Sequence, residues 1–278
     1  MELSRHFRII VGVLLLPPVS LVRAQAVDTM RVTVHGHQMQ LLVSGTGGPT
    51  VVLESGDRST HRALRRVRDS LSAFTQVVAY DRAGLGQSEF CPGTRDAQTI
   101  ARELRAVLTA ARIAPPYLLV GHSAGTLFVR VFASLFSNDV HGVVLLDPAM
   151  VNFYPRVART YPALAEKFMA LDSIDRLTNT PGELAEDAGW ETALKQAKAS
   201  DATFRAPTTL LSAGNRPDLE QLEGMFREEQ QRRAARKRNV TFRIVSRSGH
   251  TIQADRPDTV LAVIRSMRAA RAPSVRRE

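Results

Sequence analysis

Five short, almost uninterrupted apolar runs punctuate the chain: Thr50-Val51-Val52-Leu53, Gln76-Val77-Val78-Ala79-Tyr80, Tyr117-Leu118-Leu119-Val120, Gly142-Val143-Val144-Leu145-Leu146 and Thr208-Thr209-Leu210-Leu211. A strand with one wet face alternates apolar and polar residues, so runs of this kind belong to strands covered on both faces, as in a parallel sheet. Amphipathic stretches of helical length separate them, from Arg62 to Leu71, Ala97 to Ala111 and Ala124 to Phe136. Alternating strand and helix predicts a doubly wound α/β sheet with right-handed crossovers.

The flanks extend this sheet. Arg31 to His35 and Gln38 to Val43 read as a hairpin turning at Gly36, and Val240 to Val245 reads as a last strand, followed by a loop from Ser246 to Pro257 and a closing amphipathic helix to about Ala270. One interruption stands out. About 60 residues from Pro148 to Pro207 separate two sheet strands, too many for a structureless loop. They mix Phe153, Tyr154, Tyr161, Phe168 and Trp190 with helix-forming Ala, Leu, Glu and Lys. The expected organisation is therefore a core over residues 27–147 and 208–278, with residues 148–207 inserted as a helical cap over the carboxyl edge of the sheet, where α/β ligand sites lie.

Residues 1–26 differ in kind. Arg5 and Arg8 precede an apolar stretch from Ile9 to Val22, closed by Ala24-Gln25-Ala26. Charge, apolar segment and small-residue site in that order describe a signal peptide cleaved near Ala26. The apolar stretch is broken by Pro17-Pro18 and falls short of the ~20 residues that span a bilayer, so an exported protein, periplasmic or extracellular, is expected rather than an anchored one. Cys91 is the sole cysteine, so the core and not an internal disulfide must hold the fold. The formal net charge of +10 is concentrated late, in Arg232, Arg233, Arg236, Lys237 and Arg238 and again from Arg265 to Arg277. The basic C-terminus favours weak association with anionic membrane surfaces. Nucleic acid is not expected, because no aromatic side chain interleaves the charges between Arg265 and Glu278.

The run Tyr117 to Val120 leads directly into Gly121-His122-Ser123-Ala124-Gly125 and then a helix. Strand, sharp turn and helix are the context in which G-x-S-x-G lifts a serine oxygen above a sheet, with small residues two positions either side admitting the tight approach. Ser123 is the candidate nucleophile. A serine needs a base, and His250, in Ser246-Arg247-Ser248-Gly249-His250 after the last strand, has that position among the seven histidines. The acid that orients it is either Asp147, which ends the strand Gly142 to Leu146, or Asp218, in the loop after Thr208 to Leu211; local context favours Asp147. Oxyanion donors are expected from the amides of Ala124 and Asp57, with Gly56 and His122 close to substrate. His35 and His37 have no carboxylate or cysteine beside them, so no metal site is expected.

Five blocks in this order, Val52-Leu53-Glu54-Ser55-Gly56, Tyr80-Asp81-Arg82-Ala83-Gly84-Leu85-Gly86-Gln87-Ser88, Pro116 to Ser123, Val144-Leu145-Leu146-Asp147-Pro148 and Gly249-His250, resemble the serine α/β-hydrolase superfamily from about Arg31 to Ala270. The resemblance implies the α/β-hydrolase fold, a mostly parallel eight-stranded sheet with helices on both faces. It implies hydrolysis of an ester or related acyl bond in a small-molecule substrate, through an acyl-enzyme and without a cofactor. A subgroup with the Glu-Ser-Gly and Tyr-Asp-Arg blocks places its aspartate where Asp147 stands. Dehalogenases and epoxide hydrolases of the same fold carry Asp at the elbow, so Ser123 points to acyl transfer. Thr126 stands where many relatives have a second glycine after the elbow, and Gly56-Asp57-Arg58 stands where many have Gly-x-Gly.

Overall fold

The structure, a computed structural model, describes residues 27–203 and 205–270, with backbone alone for residues 154 and 217–219. The leader expected over residues 1–26, and Arg271, Arg276 and Arg277 of the basic tail, lie outside the described residues.

Eight strands form one sheet: β1 (Asp28–Val34), β2 (His37–Ser44), β3 (Thr50–Glu54), β4 (Val77–Tyr80), β5 (Tyr117–His122), β6 (Val140–Leu146), β7 (Thr208–Ala213) and β8 (Val240–Val245), in the order β1-β2-β4-β3-β5-β6-β7-β8. β1 and β2 pair antiparallel, as do β2 and β4; the remaining neighbours are parallel. The hairpin turns on His35 and Gly36, both at positive φ (50° and 82°), the backbone that lets a two-residue turn follow the strand twist. Every residue of β3, β4, β5 and β7 is buried, which accounts for the apolar runs at their centres.

Helices cover both faces. On one lie α2 (Ala97–Ala110) and α3 (Gly125–Leu135); on the other lie α1 (Arg65–Leu71), the short α8 (Ile252–Asp255) and α9 (Pro257–Ala269). α2 starts where the Asp96 carboxylate accepts the Thr99 N–H at 2.9 Å, and buries Ile100, Leu104, Val107 and Leu108 at helical spacing.

The long insertion holds α4 (Phe153–Thr160), α5 (Pro162–Asp175) and α6 (Pro181–Ser200). α6 opens with Pro181 and a capping box between Thr180 and Glu183, two devices that fix a helix start. Its later turns send Ala193, Leu194 and Ala197 into the same apolar core as α2 and α3, so the last cap helix is built into the body. Gly182 sits so close to Gly84 that a Cβ on it would lie 2.5 Å from the Gly84 carbonyl oxygen. α4 and α5 form a smaller apolar cluster, centred on Val157 and Ala165, with Leu222, Met225 and Phe226 of the segment that carries α7 (Glu223–Ala235).

This topology sets the site. From β3 the chain moves to β4 on one side and then to β5 on the other, and the loops that leave β3 and β5 part above their shared edge. A crevice at the carboxyl ends of parallel strands follows from that reversal.

Candidate active site

Ser123 sits between β5 and α3 at φ +50°, a left-handed backbone that costs a non-glycine residue roughly 1–3 kcal/mol. The surroundings hold it there. The Ser123 N–H donates to the Leu146 carbonyl at 3.0 Å, and its own carbonyl accepts the N–H groups of Thr126 at 3.1 Å and Ala149 at 3.3 Å. The Thr126 hydroxyl donates to the same carbonyl at 2.5 Å, so the residue that departs from the usual glycine braces the elbow. A Cβ at Gly125 would lie 2.5 Å from the Ser55 oxygen, and one at Gly121 2.8 Å from the Gly125 oxygen, which explains both glycines.

Asp147 follows β6, also at positive φ (42°), with its N–H on the Leu211 carbonyl at 2.8 Å. Its Oδ2 lies 2.7 Å from Nδ1 of His250, in the loop between β8 and α8. The sequence left two candidates for the acid; Asp147 is the one beside His250, whereas the Asp218 side chain lies outside the described residues. Sequence reasoning missed the rest of the Asp147 environment. Arg216 donates through Nε to Oδ2 at 3.1 Å and through Nη2 to Oδ1, while the Ala213 N–H (3.1 Å) and Gln230 Nε2 (3.2 Å) also reach Oδ1. Burial alone would raise the Asp147 pKa, but the bond from His250 and the Arg216 charge outweigh it and hold the carboxyl below its usual range. Arg216 is itself buried, bonded to Glu223 at 2.7 Å and laid over the Phe226 ring at 4.6 Å.

Half of the His250 side chain is exposed to the cavity that Ser123 lines. No hydrogen bond joins the two side chains among the described residues, a looseness usual before substrate binds. The expected contact of His122 with substrate is replaced by a different one. Its ring is buried and its Nε2 meets the His250 backbone oxygen at 3.0 Å, so it supports the His250 backbone from behind. Burial, reinforced by the nearby His250, pulls His122 down to about 4, so it is neutral at pH 7 and can donate that bond through Nε2–H. Gly56 lies outside the cavity wall as well: a Cβ there would come 3.1 Å from His122 Nδ1 and 3.3 Å from Ser123 Cβ, so its role is close packing beside the elbow.

The loop after β3 is fixed by Arg82. Its guanidinium donates to the carbonyls of Ser55 and Gly56, each at 2.9 Å, and pairs with Glu54 at 2.9 Å and Glu186 of α6 at 2.8 Å. In a trans peptide the N–H points opposite to the C=O, so holding the Gly56 carbonyl also sets the direction of the Asp57 N–H. The negative Asp57 side chain lies 3.9 Å from Arg58 Nε. Arg58 extends from there to Asp172 (3.1 Å) and Asp175 (3.3 Å) of α5 and Asp187 (3.1 Å) of α6, tying the loop to the cap.

Ser123, Ala124, Asp57 and His250 all line one cavity of about 880 Å³. Its remaining wall is mostly apolar and comes from the insertion and α7, including Met150, Phe153, Phe168, Leu171, Trp190 and Phe226.

The family model described as "Alpha/beta hydrolase family" matches residues 33–263. The chain belongs to that family. Among curated relatives, this α/β hydrolase is 35% identical to the uncharacterized protein YqjL of Bacillus subtilis over 106 residues, covering 38% of this chain and 42% of YqjL. The match thus spans less than half the length of that relative. Among solved structures it is similar to the enol-lactonase of Burkholderia xenovorans (TM-score 0.65, 15% identity, 86% of this chain and 99% of that one). It is also similar to a thermophilic esterase of Thermogutta terrifontis (TM-score 0.61, 20% identity, 87% and 97%). At these identities the likeness is one of fold.

Proposed function

We propose that this hydrolase cleaves an ester or related acyl bond by nucleophilic catalysis. Ser123 Oγ attacks the acyl carbon while His250 Nε2 takes its proton; Asp147 keeps the other ring nitrogen protonated and faces the resulting imidazolium. The oxyanion is received by the N–H groups of Ala124, at the start of α3, and Asp57. His250 returns the proton to the leaving alcohol, and water activated by the same ring hydrolyses the acyl-enzyme. No cofactor enters. The observation that carries this reading is the 2.7 Å contact of His250 Nδ1 with Asp147 Oδ2 on the wall of the cavity that Ser123 shares. The substrate is a small molecule with a bulky apolar acyl or alcohol part, matched to that cavity's apolar wall.

A fluorophosphonate probe tests the nucleophile, because only an activated serine reacts with it. Labelling of the parent chain and its loss in Ser123→Ala, together with loss of aryl-ester hydrolysis, is the expected result; hydrolysis undiminished in Ser123→Ala defeats the reading. A panel of esters of increasing chain length then defines the substrate. Export rests on the leader pattern of residues 1–26, and fractionation of cells expressing the full chain, with N-terminal sequencing of the mature protein, tests cleavage near Ala26.

A further inference from the structure

The wall that α6 gives to the cavity changes character along its length. Trp190, Glu191, Leu194, Lys195 and Lys198 line the cavity, and Asp187, which holds Arg58 at 3.1 Å, precedes them on the same helix face. The stripe runs from an acid, through apolar side chains, to two lysines. Its acidic end lies at the Ser55–Asp57 loop, because Glu186, next to Asp187, bonds the Arg82 guanidinium that holds the carbonyls of Ser55 and Gly56. At 1.5 Å per residue, Lys195 and Lys198 lie about 12 Å and about 17 Å beyond Asp187 along the helix axis.

Charge is divided unevenly between the two ends. At the loop end Asp57, Asp172, Asp175 and Asp187 share Arg58, and Arg176 adds a second guanidinium at 3.0 Å from Asp172. Carboxylates therefore outnumber cations there. Burial pushes the Asp57 carboxyl up against the pull of Arg58, and Asp187 and Glu186 add to the rise. At the far end the account is reversed. Lys195 and Lys198 are exposed, one helical turn apart, and among the described residues their side chains make no hydrogen bond or ion pair. Glu191, the single acid beside them, stands one turn before Lys195 and is also unpaired among the described residues. Arg216, the other cation of the wall, is taken up by Asp147 and Glu223.

Building on the acyl-transfer reading of Ser123 and His250, we propose that the substrate is an ester whose end remote from the scissile bond carries a carboxylate, received by Lys195 and Lys198. A chain with an anion at one end enters such a cavity one way round. The acidic end repels its carboxylate from the Ser55–Asp57 loop, the lysines attract it, and the apolar wall between them takes the carbon chain. Beside Trp190 and Leu194 the two ammonium groups face less water than on an open helix, which strengthens that attraction.

The test compares kcat/KM for aryl mono-esters of linear dicarboxylic acids of increasing length with kcat/KM for the same esters whose free carboxylate is converted to the amide. Acetyl esters of ω-hydroxy acids, treated likewise, place the carboxylate on the alcohol side. The parent should prefer the carboxylate form in one series by roughly fivefold at the best length, the scale of two ion pairs at a wet wall, and Lys195→Gln/Lys198→Gln should remove most of that preference. Because the readout is a ratio, a general loss of activity does not imitate the effect. Glu191→Gln should enlarge the preference. Arg159→Gln/Lys167→Gln, the same charge change on cap residues that do not line the cavity, should leave it close to the parent's. Near 1 M salt, where the screening length falls to about 3 Å, the preference should shrink. A parent without preference in either series, or equal loss in the two paired variants, overturns the inference. Esters hydrolysed as fast by Ser123→Ala as by the parent would instead defeat the acyl-transfer reading on which it rests.

Discussion

Arg216 grips the same carboxylate, that of Asp147, that accepts the Nδ1 proton of His250. The orienting acid is thereby held in a fork that leaves it little freedom to rotate, and its negative charge is shared with a permanent cation. Both effects would act on the imidazolium of the proposed acyl transfer.

Replacing Arg216 by Met should thus do two separable things. Loss of the fork leaves Asp147 buried without its cation, costing about 3–5 kcal/mol of stability, while Glu223 keeps Arg227 at 2.9 Å. In the fraction that folds, the full Asp147 charge bears on the ring, so the acidic limb of the kcat/KM profile should move to higher pH while kcat falls roughly tenfold or more. Urea denaturation and pH-rate profiles check the two; an unmoved limb would show that Arg216 acts on packing alone.

The two candidate acids predict opposite outcomes. Asp147→Asn should lower kcat by about 10⁴, because the wrong tautomer of His250 is then favoured, whereas Asp218→Asn should stay within about twofold of the parent. Steady-state kinetics on an aryl ester decides between them, and a large loss in Asp218→Asn would move the acid to that position.

Arg82→Met frees the carbonyls of Ser55 and Gly56, so the Asp57 N–H is no longer aimed. A fall in kcat of roughly 10² with KM within a few-fold is expected for a donor used only in the transition state. Glu186→Gln, which weakens the hold on Arg82 from α6, should give a smaller change of the same kind. A change confined to KM would place the Ser55–Asp57 loop in binding instead.

Burial sets Glu54 and His122 against each other in pH. Buried with only Arg82 and Tyr80 to offset desolvation, Glu54 is pushed from 4.5 up to about 7, so the folded chain holds a proton that the unfolded chain has lost. Its contribution to stability is complete below pH 4.5 and is lost as pH rises through 7. His122, down from 6.5 to about 4, contributes stability present above pH 6.5 and lost as pH falls through 4. Each amounts to about 3 kcal/mol at 1.36 kcal/mol per unit, and between about pH 4.5 and 6.5 they largely cancel. Relative to the parent, Glu54→Gln should lose stability on acidification across that window and His122→Asn should gain it. Unfolding free energies measured at both ends of the window, with identical slopes in all three proteins, would contradict this assignment.

The sheet was legible because burial on both faces keeps the middles of β3, β5 and β7 apolar, and the elbow because strand, G-x-S-x-G and helix are contiguous in the chain. Arg216 was not, since it lies 69 residues from Asp147 and nothing in Gly214-Asn215-Arg216-Pro217 distinguishes a buried guanidinium from a solvated one. His122 was read as a substrate contact because it adjoins Ser123, yet as the last residue of a fully buried strand its side chain turns inward. The inserted stretch from Pro148 to Pro207 reads as one cap in sequence. Packing divides it, because Ala193, Leu194 and Ala197 of α6 fit against α3 while α4 and α5 cluster with Phe226.

That division marks where the molecule can be re-engineered. α6 is bolted down by the buried Arg82–Glu186 pair and by backbone contact between Gly84 and Gly182, so moving it would unseat the Ser55–Asp57 loop. Among the described residues, α5 reaches that loop through exposed carboxylates on Arg58, ties worth about 0–1 kcal/mol each. Residues 153–175 are thus an exchangeable cassette, lying between Ala149 on the elbow and the Thr180 cap of α6: segments grafted there with the packing on Phe226 kept would reshape the cavity wall and leave the reacting groups in place.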